Sequence, residues 1–147
     1  MPMPSNSENK SVRITMQTVQ RAEGQSDRQS HTYTGTFYQK DQSYHLIYQE
    51  GQGRKAHIRI GGGEVHVHRL GDLSGDLWFV EGDERDTRYE TPYGRMILTV
   101  KTNRLCWDAG ACRLEIAYQL LAEGQLLSEN EMIITMEDIE KNEKSRQ

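Results

Sequence analysis

Between Lys55 and Leu70 the chain alternates apolar and polar residues on both sides of the run Gly61-Gly62-Gly63, and that pattern specifies a β-hairpin. Taking Gly61-Gly62 as a two-residue primed turn, in which both positions need positive φ, pairs Ile58 with Val65 and Ala56 with Val67 on one face. The other face pairs Arg59 with Glu64, His57 with His66 and Lys55 with His68. One side is wholly apolar and the other wholly polar, so a one-residue slip mixes the faces and is disfavoured.

The same period of two runs through the rest of the chain. Val12, Ile14 and Met16 alternate with Arg13, Thr15 and Gln17 in a strand over Ser11–Gln20. Gln20–His31 is polar throughout and is expected to be a loop long enough to serve as a lid. Thr32–Lys40 and Ser43–Gln49 form a hairpin about Asp41-Gln42, and Asp76–Glu81 forms a short strand after a turn at Gly71–Gly75. Arg85–Thr91 and Arg95–Lys101 form a hairpin across Pro92-Tyr93-Gly94. Read as a three-residue turn, it pairs Thr91 with Arg95, Tyr89 with Ile97 and Arg88 with Leu98. Met96, Leu98 and Val100 then share a face with Glu90, Arg88 and Asp86. Asn103–Asp108 and Cys112–Ala122 continue the meander. A three-residue turn at Ala122-Glu123-Gly124 matches Leu120 with Leu126, Leu114 with Met132 and Cys112 with Ile134, and sets Glu115 opposite Glu131.

About ten strands joined by short or moderate loops twist too far to remain an open sheet. The expected fold class is therefore all-β: a single closed or nearly closed antiparallel meander β-barrel of about 8–10 strands. Residues 11–136 make the barrel domain, residues 1–10 a disordered lead and residues 137–147 a charged tail. The apolar fraction of 35% and mean hydropathy of −0.82 suit strands with one wet face and leave too little apolar material for a helical bundle.

Eighteen Lys plus Arg against twenty-two Asp plus Glu give a net charge of −4, which argues against a nucleic-acid partner needing a basic face. The opening MPMPSNSENK lacks the apolar stretch of a secretory signal, and no apolar run approaches the roughly 18–20 residues of a membrane-spanning helix. The expected compartment is the cytoplasm, with no membrane partner. Cys106 and Cys112 flank a turn-like segment, so a disulfide is geometrically allowed. Two reduced thiols are the reading that fits a cytoplasmic protein.

Arg69-Leu70-Gly71, Phe79, Tyr89-Glu90-Thr91-Pro92-Tyr93-Gly94 and Thr102 together resemble the signature of the YwiB-like family. The segments Tyr44–Glu50 and Leu114–Tyr118 resemble it too, so the likeness spans most of Val12–Met136. The resemblance implies a small bacterial protein with a lipocalin-like, calycin-type barrel. It implies no ligand, reaction or catalytic residue, and interior ligand binding rests on analogy of fold.

Two constellations carry possible chemistry. His57, His66 and His68 share the polar face of the first hairpin and offer three imidazoles to zinc, copper or nickel. Lys55, Arg59 and Glu64 share that face, which also reads as a solvated outer surface. Arg69, Arg88, Tyr89, Thr91 and Arg95 are the candidate contacts for a ligand bearing a carboxylate or phosphate, the alternative being an internal Arg–Glu or Arg–Tyr network. Tyr33, Phe37, Tyr44, Tyr48, Trp78, Phe79 and Trp107 line a cavity or simply fill the core. Gly61-Gly62-Gly63 is no phosphate loop, and no nucleophile or cofactor signature is present. The expectation is a monomer or homodimer whose barrel binds a small molecule. The rivals are an interaction module with a side-chain-filled barrel, and a metal- or cofactor-dependent enzyme with scattered residues.

Overall fold

The computed structural model describes residues 9–51, 53–71 and 74–139. Within them lie ten strands: β1 (Lys10–Ala22), β2 (Gln25–Lys40), β3 (Ser43–Gly51), β4 (Arg54–Gly61), β5 (Glu64–Leu70), β6 (Ser74–Val80), β7 (Glu84–Thr91), β8 (Gly94–Asp108), β9 (Arg113–Ala122) and β10 (Gln125–Asp138). Each pairs antiparallel with the next, and β1 pairs with β10, so the meander closes into a barrel. The proposed lead and tail fall mostly on residues 1–8 and 140–147, outside the described residues.

Turn chemistry sets the registers. Gly62-Gly63, not Gly61-Gly62, takes the two left-handed positions, with φ of +64° and +78°. Gly61 stays in β4, where a Cβ would come within 2.8 Å of the Ser43 hydroxyl, so that glycine serves packing. The pairing therefore shifts by one turn position: Ile58 faces Val67, Arg59 faces His66, His57 faces His68 and Ala56 faces Arg69. Because partners move by two residues, the inward and outward faces are as expected.

Two further turns are shorter than the sequence suggested. Pro92-Tyr93 alone closes β7 and β8, so Thr91 faces Gly94, Tyr89 faces Met96 and Arg88 faces Ile97. This is a one-residue change, and it reverses the expected faces: Thr87 and Tyr89 point inward with Leu98, while Asp86, Arg88 and Glu90 point outward. Glu123-Gly124 closes β9 and β10, and a bulge between Leu126 and Ser128 restores the inward face. Leu114 then meets Ile134, and Glu115 faces Ile133 instead of Glu131. The expected carboxylate repulsion is absent at that pair, and Glu115 bonds Arg113 and Arg104.

Gln20–His31 is not a loop. β1 runs to Ala22 and β2 begins at Gln25, with Glu23-Gly24 as the whole connection. Its residues are polar because this hairpin extends beyond the packed core, exposing both of its faces. β8 is likewise one continuous strand, with an irregularity at Asn103 where two strands were expected.

The inner face divides along the barrel axis. Ile14, Leu46, Ile58, Val65, Phe79, Val100, Leu114, Ile116 and Ile134 are fully buried and fill the middle. Phe37, Tyr44 and Trp107 pack together across the lower end, with ring centroids 5.2–6.4 Å apart. The upper end, ringed by the turns at Glu23-Gly24, Pro92-Tyr93 and Glu123-Gly124, is lined by polar side chains instead.

Candidate functional site

One row of inward residues runs around the upper barrel as Gly35, Tyr48, Ala56, Arg69, Gly75 and Tyr89, each facing the next across a ladder. Small residues alternate with large ones. A Cβ on Gly75 would lie 2.7 Å from the Tyr89 ring, and one on Gly35 would lie 2.9 Å from the Tyr48 Cβ. The small positions thus make room for Tyr48 and Tyr89 to lean toward Arg69 from either side.

Arg69 donates through Nε to Glu50 Oε1 at 2.9 Å, and both side chains are about one-fifth exposed, at 22% and 18%. Burial opposes the Arg69 charge, but Glu50 beside it outweighs that and holds the guanidinium above its ordinary pKa. The Tyr48 and Tyr89 hydroxyls are buried with no hydrogen-bond partner. Burial raises both, Tyr89 to about 12, while the nearby Arg69 charge pulls the other way. The guanidinium is close enough to act on both oxygens by its charge and as a hydrogen-bond donor, although neither contact meets strict hydrogen-bond geometry. Tyr33, whose ring lies 4.9 Å from that of Tyr48, and Tyr118 are also raised by burial. A cleft of about 230 Å³ opens at this end, lined by Thr18, Asp27, Gln29, Tyr118, Asn130 and Glu131; of the residues around Arg69 it reaches only Tyr118.

The expected ligand contacts are only partly assembled. Arg69 and Tyr89 come together. Thr91 sits at the turn, where its hydroxyl donates to the Gly94 carbonyl at 2.7 Å. Arg88 points outward, and Arg95 forms an exposed ion pair with Glu90 at 2.9 Å. Arg88 faces solvent because its neighbour Tyr89 faces in, and the shorter Pro92-Tyr93 turn sets Arg95 opposite Glu90 on that same outer face. Glu50, Tyr118 and the spacing role of Gly75 were missed. The alternation of Tyr44, Leu46, Tyr48 and Glu50 on β3 held the signal for the first of these.

The histidines form a separate stripe on the outside. His66 Nε2 and His68 Nδ1 both donate to Asp76 Oδ1, at 2.6 and 2.8 Å. Although partial burial pulls Asp76 upward, those two hydrogen bonds hold its carboxyl below the usual range. The His66 ring stacks on Trp78 with centroids 3.9 Å apart, so Trp78 belongs to this outer face and not to a cavity. His57 bonds His45 instead, Nε2 to Nδ1 at 3.0 Å, and burial depresses both. Among the described residues the groups that converge as metal donors are His66, His68 and Asp76. The trio expected from sequence exchanges His57 for an aspartate one strand away. Cys106 and Cys112 are both free thiols, and among the described residues no helix is long and apolar enough to cross a membrane.

A family profile described as a domain of unknown function, DUF1934, matches residues 14–134. Among solved structures the chain is similar to the crystal structure of ywiB protein from Bacillus subtilis, with a TM-score of 0.81. The two are 23% identical, and the match covers 91% of this chain and 95% of that one. No curated protein matches the chain.

Proposed function

Because the chain belongs to the DUF1934 family, a domain of unknown function, we propose from its own geometry that the barrel binds a small carboxylate-bearing molecule at its upper end. The observation that supports this reading is the pair of buried hydroxyls, Tyr48 and Tyr89, outside strict hydrogen-bond geometry and leaning toward the partly buried Arg69. A buried hydroxyl without a partner costs about 1–3 kcal/mol, and a ligand oxygen accepting from both removes that cost. The Arg69 guanidinium, its charge balanced by Glu50, adds N–H donors beside them.

The surroundings narrow the ligand class. Arg69 is already neutralised by Glu50. A polyanion meets repulsion there, whereas a monocarboxylate with neutral or cationic groups at its other end is accommodated. A compact molecule fits; a long acyl chain does not, because the barrel below is filled.

Thermal-shift titration with a panel of small monocarboxylates, zwitterionic amino acids and inorganic phosphate tests this. The expected result is saturable stabilisation by at least one carboxylate, lost in Y89F and retained in R88A, whose arginine faces outward. No stabilisation by any carboxylate, or an equal response in Y89F, overturns the reading.

A second reading, an interaction module, draws on a different observation. The large exposed apolar side chains among the described residues, Leu70, Tyr93, Met96, Ile97, Leu126 and Leu127, all lie toward the upper end. They suit self-association across the mouth, which analytical ultracentrifugation of the wild type against L126S/L127S reads directly.

A further inference from the structure

We propose that His66, His68 and Asp76 form a binding site for a borderline divalent transition-metal ion, zinc in the first instance, on the outer face of β5 and β6. This site lies on the opposite side of the sheet from the ligand-binding row, and it stands whether or not that reading holds.

Strand geometry brings the donors together. His66 and His68 are two residues apart on β5 and therefore share a face, while Asp76 sits directly across the ladder from His68. The three donor atoms all lie within 4.8 Å of one another. A tetrahedral zinc with bonds of about 2.0–2.2 Å sets its ligands roughly 3.3 Å apart. The observed 2.6 and 2.8 Å contacts to Asp76 Oδ1 need to widen by about 0.5–0.7 Å to admit it. Each neutral imidazole transfers its proton to its other ring nitrogen and turns a lone pair toward the ion, so no net proton is lost from the rings.

The electrostatics of the face also suit a cation. Arg59, the guanidinium on this face nearest the pair in sequence register, is occupied by Glu64 at 3.3 Å. Asp76 supplies a full negative charge beside two neutral nitrogens, the donor mix that favours zinc, copper or nickel. The Trp78 ring braces His66 from one side and fixes its orientation. His68 and Asp76 remain partly open, with side-chain exposures of 43% and 45%, which leaves a coordination position to water or an external ligand. His57 is committed to His45 and is not assigned to the site.

Isothermal titration of the metal-free full chain with Zn²⁺ tests the assignment, together with Trp fluorescence under Co²⁺ in a W107F background. W107F leaves Trp78 as the single tryptophan of the two in the chain. The expected results are one Zn²⁺ per chain, Co²⁺ quenching of Trp78, and at least about tenfold weaker Zn²⁺ binding in D76A and in H68A. H57A is expected to change affinity less than about threefold, because His57 lies outside the ligand set. Binding unchanged in D76A leaves an ordinary surface histidine pair and overturns the proposal. Loss in H57A equal to that in H68A overturns it in favour of the three-histidine set. Absence of stoichiometric binding in the wild type overturns it outright. The three donors are partly exposed, so circular dichroism of each variant is expected to match the wild type.

Discussion

Tyr89 shows how a single buried atom sets stability and binding against each other. Its side chain is 5% exposed, yet its hydroxyl has no partner. Removing that oxygen leaves the ring packed and deletes the desolvation cost, so Y89F is expected to be unchanged or up to about 1 kcal/mol more stable in denaturant titration. The same variant loses the carboxylate response, and a variant that gains stability while losing a ligand marks a site rather than a scaffold residue. The alkaline limb gives an independent reading. Tyr89 is raised to about 12 in the folded chain against about 10 for a free tyrosine. The folded state therefore holds its proton more tightly, and stability falls as pH climbs from about 10 to 12, by roughly 2–3 kcal/mol in total. Y89F is expected to flatten that fall; an identical alkaline limb in both proteins contradicts a buried, partnerless hydroxyl.

At the scale of strands and turns, the meander and its inward faces were legible because alternation survives any even shift of register. Three hairpins illustrate the limit. The β4–β5 and β9–β10 registers each differ from expectation by an even step, so Ile58, Val67, Leu114 and Ile134 stay inward although their partners change. The β7–β8 register differs by one, which regroups the faces and sets Arg95 on the outward face with Glu90 and Arg88. What separates the two shortened turns is the bulge between Leu126 and Ser128, which restores the inward face of β10 and has no counterpart in β7–β8. Glutamates at φ of +52° in Glu23-Gly24 and Glu123-Gly124 give no hint that they accept a left-handed backbone. Arg69 and Tyr89 were legible as polar residues among apolar ones. Their contact was not, because it depends on a ladder spacer, Gly75, that sequence alone assigns to a turn. G75A tests that spacer: with a Cβ 2.7 Å from the Tyr89 ring and equally close to the Arg88 carbonyl, it is expected to cost about 1–3 kcal/mol by overpacking. It is also expected to weaken the carboxylate response in thermal shift. A G75A protein as stable as wild type shows that Tyr89 has room to withdraw, and the alternation of small and large side chains then loses its role.

Across the whole molecule, closure is uneven, and the uneven place borders the site. β1 pairs along its length with both β2 and β10, which locks the first and last strands together. Between β6 and β7, by contrast, the ladder among the described residues holds only Ser74 with Glu90 and Gly75 with Tyr89. Below that point the Thr87 hydroxyl donates to the Asp76 carbonyl, and the connection at Gly82 and Asp83 bonds to Thr102 of β8 instead. β6 and β7 are therefore each secured mainly by their other neighbour. Amides that would face across this seam have no ladder partner, and local opening there costs less than opening elsewhere in the barrel. Hydrogen exchange resolved by residue is expected to show an alternating pattern in Asp76–Val80 and Glu84–Thr87. Amides bonded to β5 or β8 are protected, and those between them exchange fastest of any in the strands. Uniform protection along both strands contradicts the seam. Because the surviving pairs include Gly75 and Tyr89, a ligand that bridges Tyr89 and Tyr48 ties β7 to β3 across the weak ladder. Bound carboxylate is therefore expected to slow exchange at the seam more than at the β1–β10 closure. Slowing confined to the β1–β2 hairpin instead moves the ligand out of the tyrosine row and into the outer cleft.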